Sequence, residues 1–409
     1  MDTFHLFSIL ICISALFAYL NFRFLKLPGA IGLMIISLLF SLLVLAIGYF
    51  NPFVRDQASA LFSKINFSEL LLEIMLSFML FAGAIHIKYE DLKNERLTIM
   101  AFATVSVVLS TFIVGYVTFY TLDVFGIHVQ LLNALLFGAL ISPTDPIAVL
   151  SILKSSGISR SLQTKMSGES LFNDGVAVVI YLIILQLSGP GNEISLQSIA
   201  RLFLQEAVGG FFLGIILGYL GYRLVLQIDN YQVEVLMTLA IVMGGYTLSH
   251  FIHVSGPLAM VTSGIIIGNH GKNFGMSAIT TEYVDKFWEL IDEILNAFLF
   301  VIIGLELLLI HTSQKIIFIS LLLIVVTVLA RYISLWIPSL AIRLKEKIQQ
   351  RTLILLTWGG LRGGISIALA LSIPSEMNKD LWVTITYVIV CFSILIQGLT
   401  IGKLARKMV

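Results

Sequence analysis

The sequence predicts an all-α polytopic membrane protein, and three observations carry that expectation. Of 409 residues, 58% are hydrophobic and 12% are charged, against the roughly 25% charged of a soluble domain. Apolar runs of about 20 residues, the length that crosses a hydrocarbon core, recur along the whole chain. Lysine and arginine divide unevenly between alternate connections, as they do when one set of loops faces the cytoplasm. The net charge of +1 and the lack of a basic, aromatic-rich cluster give no footing for nucleic acid.

Marking the apolar stretches gives about thirteen spans, near residues 4–22, 28–49, 68–87, 97–121, 131–152, 161–187, 200–226, 232–252, 255–270, 288–311, 316–340, 351–373 and 381–402. The pair within 232–270 is the least defined, because Pro257 and a short connection fit one bent element or two. The first run follows Asp2 and precedes Arg23 and Lys26, the reverse of a cleavable signal, so it reads as a retained span. Arg331 and Arg362 fall within spans. Of the other 23 bases, 18 lie on the side of the loops after odd-numbered spans and five on the opposite side. This predicts an N-terminus outside and a C-terminus in the cytoplasm. Cys12 and Cys391 sit in apolar runs and read as small buried hydrophobes. No loop reaches domain length, and seven residues follow the last span. The expectation is one membrane domain over 1–409, with no soluble catalytic or regulatory part, no cofactor and no enzymatic activity.

Two spans should be broken. Span five contains ISPTDPIAVL, in which Pro143 and Pro146 flank Thr144 and Asp145; each proline removes a donor and obstructs the preceding turn. Span twelve contains TWGGLRGGISIALALSIP, with Gly359, Gly360, Gly363 and Gly364 around Arg362. Broken helices are tolerated at membrane depth only where protein or a water-filled cavity satisfies the freed backbone. Interrupted spans in corresponding positions of two halves point to a secondary transporter's binding site. The offset is seven spans, an odd number, so the halves must run oppositely. Repeat one then covers about 4–187, a linker helix 200–226, and repeat two 232–402.

Ionisable groups at depth cost about 2.5–3.5 kcal/mol each on insertion scales, so they mark function. In GESLFNDGVAVVIYL, Asp174 falls mid-span. Ser170 and Asp174 share one helix face and Glu169 and Asn173 another, so the two carboxylates should have different tasks. Asp174, Ser170 and a carbonyl freed at Thr144 offer hard oxygen ligands, which suit a small monovalent cation. Glu169 suits pairing with Arg331 or Arg362. Asp145, Glu169 and Asp174 against the two arginines leave one negative charge in excess, which one proton or one monovalent cation would cancel. That is the logic of an exchanger in which both ligands compete for Asp174. Exchange near neutral pH requires burial to penalise the charged carboxylate. Asp292 and Glu293 are expected at the start of span ten, where acids favour a helix N-terminus. Glu306 is deeper and lines an outer path in this scheme. His250 and His253 lie near span ends and are weaker candidates for a pH response.

SPTDPIAVL, GESLFNDGVAVVIY, the LAR ending at Arg331 and GGLRGGISIALAL together resemble the NhaP/NHE-like sodium/proton exchangers of the monovalent cation:proton antiporter superfamily. The motifs occur in the family's order through most of the chain. The resemblance implies the NhaA-like antiporter fold with crossed broken helices, a thirteen-helix homodimer with a mobile six-helix core, and elevator-like, electroneutral exchange. It implies that Asp174 binds the ion with Ser170 and the Thr144 carbonyl, that Asp145 lies at the crossing, that Glu169 pairs with Arg331, and that Arg362 sits beside the second break. Asn173 stands where electrogenic relatives carry another aspartate. Two departures stand out. Ala82 occupies a place where many relatives have an acid, and the long cytoplasmic tail of animal exchangers is lacking, which argues against regulation through one.

The expected function is therefore antiport of Na+, or Li+, for H+ in the plasma (inner) membrane, with the lipid bilayer and a second copy as partners. A potassium/proton antiporter is the alternative on the same fold. An intramembrane aspartyl protease using Asp145 and Asp174 is the remote one, and Phe172-Asn173-Asp174-Gly175 lacks the Gly-x-Gly-Asp signature of such enzymes.

Overall fold

Long aliphatic runs with few helix breakers fold locally as helices, and the breaks fall where proline, glycine or a capping side chain interrupts them. The computed structural model describes residues 3–51, 53, 67–145, 149–150, 152–153, 158–189, 195–310, 313–342 and 349–408; Pro146 lies outside them. Within these residues the structure is all-helical apart from one isolated β-bridge. Eight helices are long and apolar enough to cross a membrane. Their outer faces carry exposed leucine, isoleucine and phenylalanine, as a lipid-facing surface should.

Helix α1 (Thr3–Leu20) and α2 (Gly29–Phe50) are followed by α3 (Leu76–Ile85), α4 (Arg96–Ala103) and α5 (Val105–Val124). Then come α6 (Leu131–Ile141), α7 (Arg160–Leu187), α8 (Leu196–Phe203), α9 (Gly209–Val225), α10 (Tyr231–Phe251) and α11 (Gly256–Ile266). The chain finishes with α12 (Ala278–Glu306), α13 (Gln314–Ile342), α14 (Gln350–Trp358), α15 (Gly364–Leu371), α16 (Lys379–Phe392) and α17 (Gly398–Met408).

The ambiguous stretch 232–270 is two elements. His253 turns the chain with a positive φ of 54°, the Ser255 side chain caps α11 by accepting from Leu258 N, and Pro257 sits in its first turn, where its missing donor costs nothing. The span anticipated at 288–311 instead runs 278–306. An amphipathic segment capped by Ser277 and carrying the exposed Lys286–Glu282 pair extends it at one end, and the apolar run past Glu306 continues as turns. Asp292 and Glu293 are therefore mid-helix, and the helix-start explanation for them is wrong.

Small residues set the closest helix approaches, as they do where lipid offers no hydrophobic driving force between helices. Gly210, Gly214 and Gly218 line one face of α9 against Ser255, Ala259, Ser263 and Ile266 of the α11 segment. On α12, a side chain at Gly304 would overlap Ser37 of α2, and the Ser37 and Ser41 hydroxyls donate to the Phe300 and Gly304 carbonyls at 3.2 and 2.8 Å. Around the breaks, Phe137 of α6 stacks on the buried Trp382 of α16 with ring centroids 5.3 Å apart.

Gly304→Leu should therefore lower the unfolding midpoint in detergent, with a cost of about 1–3 kcal/mol or more from overpacking. Gly244→Ala, at a position with nothing within 4 Å, should leave it unchanged. Equal midpoints for the two would contradict this account of the α2–α12 contact.

Candidate ion site at the crossed helix breaks

The two interrupted helices meet. Helix α6 stops at Ile141 because Pro143 cannot continue the ladder, and the Ser142 hydroxyl turns back onto the Gly138 carbonyl at 2.7 Å. Helix α14 stops at Trp358, and α15 resumes at Gly364 after the glycine-rich turn. Between the stops, Asp145 N donates to the Leu361 carbonyl at 2.8 Å in an antiparallel bridge. A side chain at Gly363 would lie 2.6 Å from Asp145 Oδ2, and one at Gly360 would lie 3.0 Å from Arg331 Nε, so these glycines permit the crossing.

Arg362, 4% exposed, serves the other break. Its Nη1 donates to the Ser142 and Pro143 carbonyls at 2.5 and 2.9 Å. A cation is favoured at the carbonyl end of a helix, and here the guanidinium satisfies the backbone that α6 frees. Its own N–H donates to Ser393 Oγ at 2.9 Å.

Helix α7, capped by Ser159, passes this crossing unbroken and presents its polar residues in two rows. In one, Glu169 accepts from Arg331 Nη2 at 2.7 Å and from Asn173 Nδ2 at 2.9 Å. Asn173 Nδ2 also donates to Thr144 Oγ1 at 2.8 Å, and its Oδ1 accepts from Thr144 N at 3.3 Å. In the other row, Ser170 Oγ lies 3.2 Å from Thr144 Oγ1. Asp174, 8% exposed, makes no hydrogen bond or ion pair with another of the described residues. It lines a cavity of about 790 Å³ together with Pro143, Asp145, Asp292 and Ser366. The sequence-derived candidates Asp174, Ser170, Thr144, Asp145, Asn173, Glu169, Arg331, Arg362, Pro143, Gly360 and Gly363 thus converge on one place.

Two lining residues escaped the sequence reading. Asp292 was expected at a helix start, but it faces the cavity in a row with Asp285 and Glu289, spaced four and three along α12. Ser366, in the first turn of α15, is buried, and its hydroxyl has no partner among the described residues; a serine in an apolar run gives no signal of its own. Towards its mouth the cavity reaches His86, Lys88, Asp91 and Arg160. Asp91 binds Arg160 at 2.7 Å, and Asp285 pairs with Lys272 and His86. Asp285 precedes the apolar part of α12. The mouth thus carries a carboxylate held between two basic side chains.

Breaking the Glu169–Arg331 pair leaves an uncompensated buried charge, which costs about 3–5 kcal/mol. Glu169→Ala and Arg331→Ala should each lower the melting midpoint strongly, and the double variant should lose less than the sum of the two. Strict additivity in that cycle would rule the coupling out.

Comparison with known proteins agrees with this geometry. The family described as the transmembrane sodium/hydrogen exchangers matches residues 11–407. The chain is 46% identical over 404 residues to the Na(+)/H(+) antiporter NhaP of Pseudomonas aeruginosa, covering 97% of this chain and 95% of that one. It is 32% identical over 397 residues to the Na(+)/H(+) antiporter NhaH of Halobacillus dabanensis, covering 94% and 93%. Its fold is similar to that of the sodium proton antiporter MjNhaP1 from Methanocaldococcus jannaschii, with a TM-score of 0.77 and 20% identity over 100% of this chain and 99% of that one. A helical membrane fold crossed by two broken helices, with the Asp174 carboxylate in a cavity beside them, is thus found in a chain that belongs to the sodium/hydrogen exchanger family.

Proposed function

We propose that this protein exchanges a monovalent cation, Na+ before K+, for H+ by alternating access, with both ligands competing for Asp174. The observation that carries the reading is the isolation of Asp174. Among the ionisable groups at the crossing, Glu169 and Arg362 are held by short hydrogen bonds, whereas the Asp174 carboxylate faces a cavity continuous with the mouth. A buried carboxylate without a fixed partner favours uptake of a proton or a cation. Ser170, one turn before Asp174 on the same helix, and Thr144, 3.2 Å from the Ser170 hydroxyl, carry hard oxygens of the kind that replace a hydration shell.

The antiparallel bridge between the breaks supports two inverted six-helix repeats joined by the segment near 200–226, with thirteen spans in all. The cavity mouth is lined by His86, Lys88, Asp91, Arg160, Asp285 and Glu289, from the base-rich side by charge count, which supports reading this as an inward-open state with a cytoplasmic C-terminus in the plasma membrane. The exposed apolar surface of the outer helices is consistent with lipid on most sides and a second copy on one. The names of the curated relatives favour Na+; the number and spacing of oxygens around Asp174, which govern ion choice, leave K+ as the alternative cargo.

One-for-one exchange follows from the charge balance at the crossing, provided that Asp292, which shares the cavity, keeps its charge state through the cycle. In proteoliposomes, Asp174→Asn should abolish Na+-driven dissipation of a pH gradient while the protein still elutes as a folded species. Competition predicts that the apparent KM for Na+ rises about tenfold per unit of falling pH once protons occupy Asp174. A KM independent of pH would exclude a shared site. Clamping the membrane potential should leave the rate unchanged in the wild type and in Asp292→Asn; a rate that follows voltage would exclude electroneutral exchange.

A further inference from the structure

Helix α12 carries a second buried carboxylate that the mechanism above does not use. Glu306 is its last residue, fourteen positions beyond Asp292 and so roughly 21 Å further along the helix axis. It lies about 30 Å from Asp285 at the cavity mouth, at the opposite end of the fold. Three features make this an unfavourable place for an anion. The side chain is 4% exposed, and its Oε2 is buried without a hydrogen-bond partner. The C-terminus of a helix already presents the negative end of the macrodipole. The base whose charge reaches it, Lys379, begins α16 in a separate helix and makes no ion pair with it among the described residues.

A second orphan lies within electrostatic reach of the same carboxylate. Tyr387 of α16 is 5% exposed, and among the described residues its hydroxyl meets only the weakly polar Cys391 thiol one turn on. Tyr387 packs in the apolar cluster of Phe300, Ile302, Ile303, Leu305 and Val390, and Glu306 directly follows Leu305 on α12. Buried polar groups without partners are rare in native proteins, and each calls for an explanation. Here a carboxylate oxygen without a partner among the described residues lies at the negative end of a helix, beside a hydroxyl with only a thiol for a neighbour, and a positively charged ligand would satisfy both.

We infer that Glu306 and Tyr387 form a second station for a small monovalent cation on the outer path, emptied and sealed when the inner cavity is open and filled when the outer side opens. Helix α12 then serves both vestibules, with Asp292 the deepest of its inward acids and Glu306 outward. This rests on the alternating-access reading above.

The test measures the KM for Na+ separately on each face, in right-side-out and inverted vesicles. Glu306→Gln keeps the shape of a protonated glutamic acid but removes the charge. It should raise the outer-face KM by about fivefold or more while the inner-face KM stays within about twofold. Tyr387→Phe should shift the outer-face KM in the same direction by less, and Glu306→Asp should recover part of the loss. Wild-type KM values on both faces in Glu306→Gln, or equal shifts on both, would overturn the station. If Glu306→Gln does not yield folded protein, Tyr387→Phe decides by the same comparison. Absence of exchange in wild-type vesicles would instead count against antiport itself.

Discussion

The organisation of the crossing depends on a single amide, that of Asn173. A side-chain amide has two donor hydrogens and one acceptor oxygen. Here both hydrogens are used, towards Glu169 and Thr144, and the oxygen takes the Thr144 N–H. Through Glu169 the chain of bonds continues to Arg331 on α13, and through Thr144 it holds the break that lies over Asp174. An aspartate at this position would face the Glu169 carboxylate with no donor to offer unless it carried a proton. The fully paired amide therefore fixes a broken backbone in place without adding charge next to the ion carboxylate.

Polar networks of this kind are rigid when complete and costly when one member is missing. That explains the division of labour among the acids. Glu169 is engaged by Arg331 and Asn173, whereas Asp174 is left with room beside it. The same helix thus supplies a paired carboxylate and an unpaired one, five residues apart, because its two faces meet different surroundings.

Much of this was legible in the sequence because hydrocarbon makes each charge conspicuous. Asp174, Glu169, Arg331 and Arg362 stand out in apolar runs, and prolines and glycines mark the breaks whatever packs around them. Residue spacing separated Ser170 and Asp174 from Glu169 and Asn173. It left Arg331 and Arg362 open as partners for Glu169, and only the fold shows that Arg362 is occupied with the carbonyls of Ser142 and Pro143. Asp292 was misread because hydropathy places the end of a span where apolar residues stop, while the helix itself continues through an amphipathic segment. Ser366 and Tyr387 carry no signal in one dimension, since an unpartnered hydroxyl is defined by what fails to surround it.

The contact between α2 and α12 also ties the chemistry to the bilayer. Helix α2 has 22 residues, about 33 Å, close to the thickness of a hydrocarbon core of about 30 Å. One end carries the exposed Tyr49 and Phe50, and the turn before the other carries Phe22 and Phe24, aromatic side chains of the sort that settle at a membrane's interfaces. These girdles hold α2 at a set depth, and the serine bonds to Phe300 and Gly304 pass that depth on to α12. Asp292 and Glu306 are consequently positioned with respect to the lipid headgroups as well as to Asp174. Hydrophobic mismatch, in membranes thinner or thicker than this girdle spacing, then acts as a mechanical input on the reach of both acids.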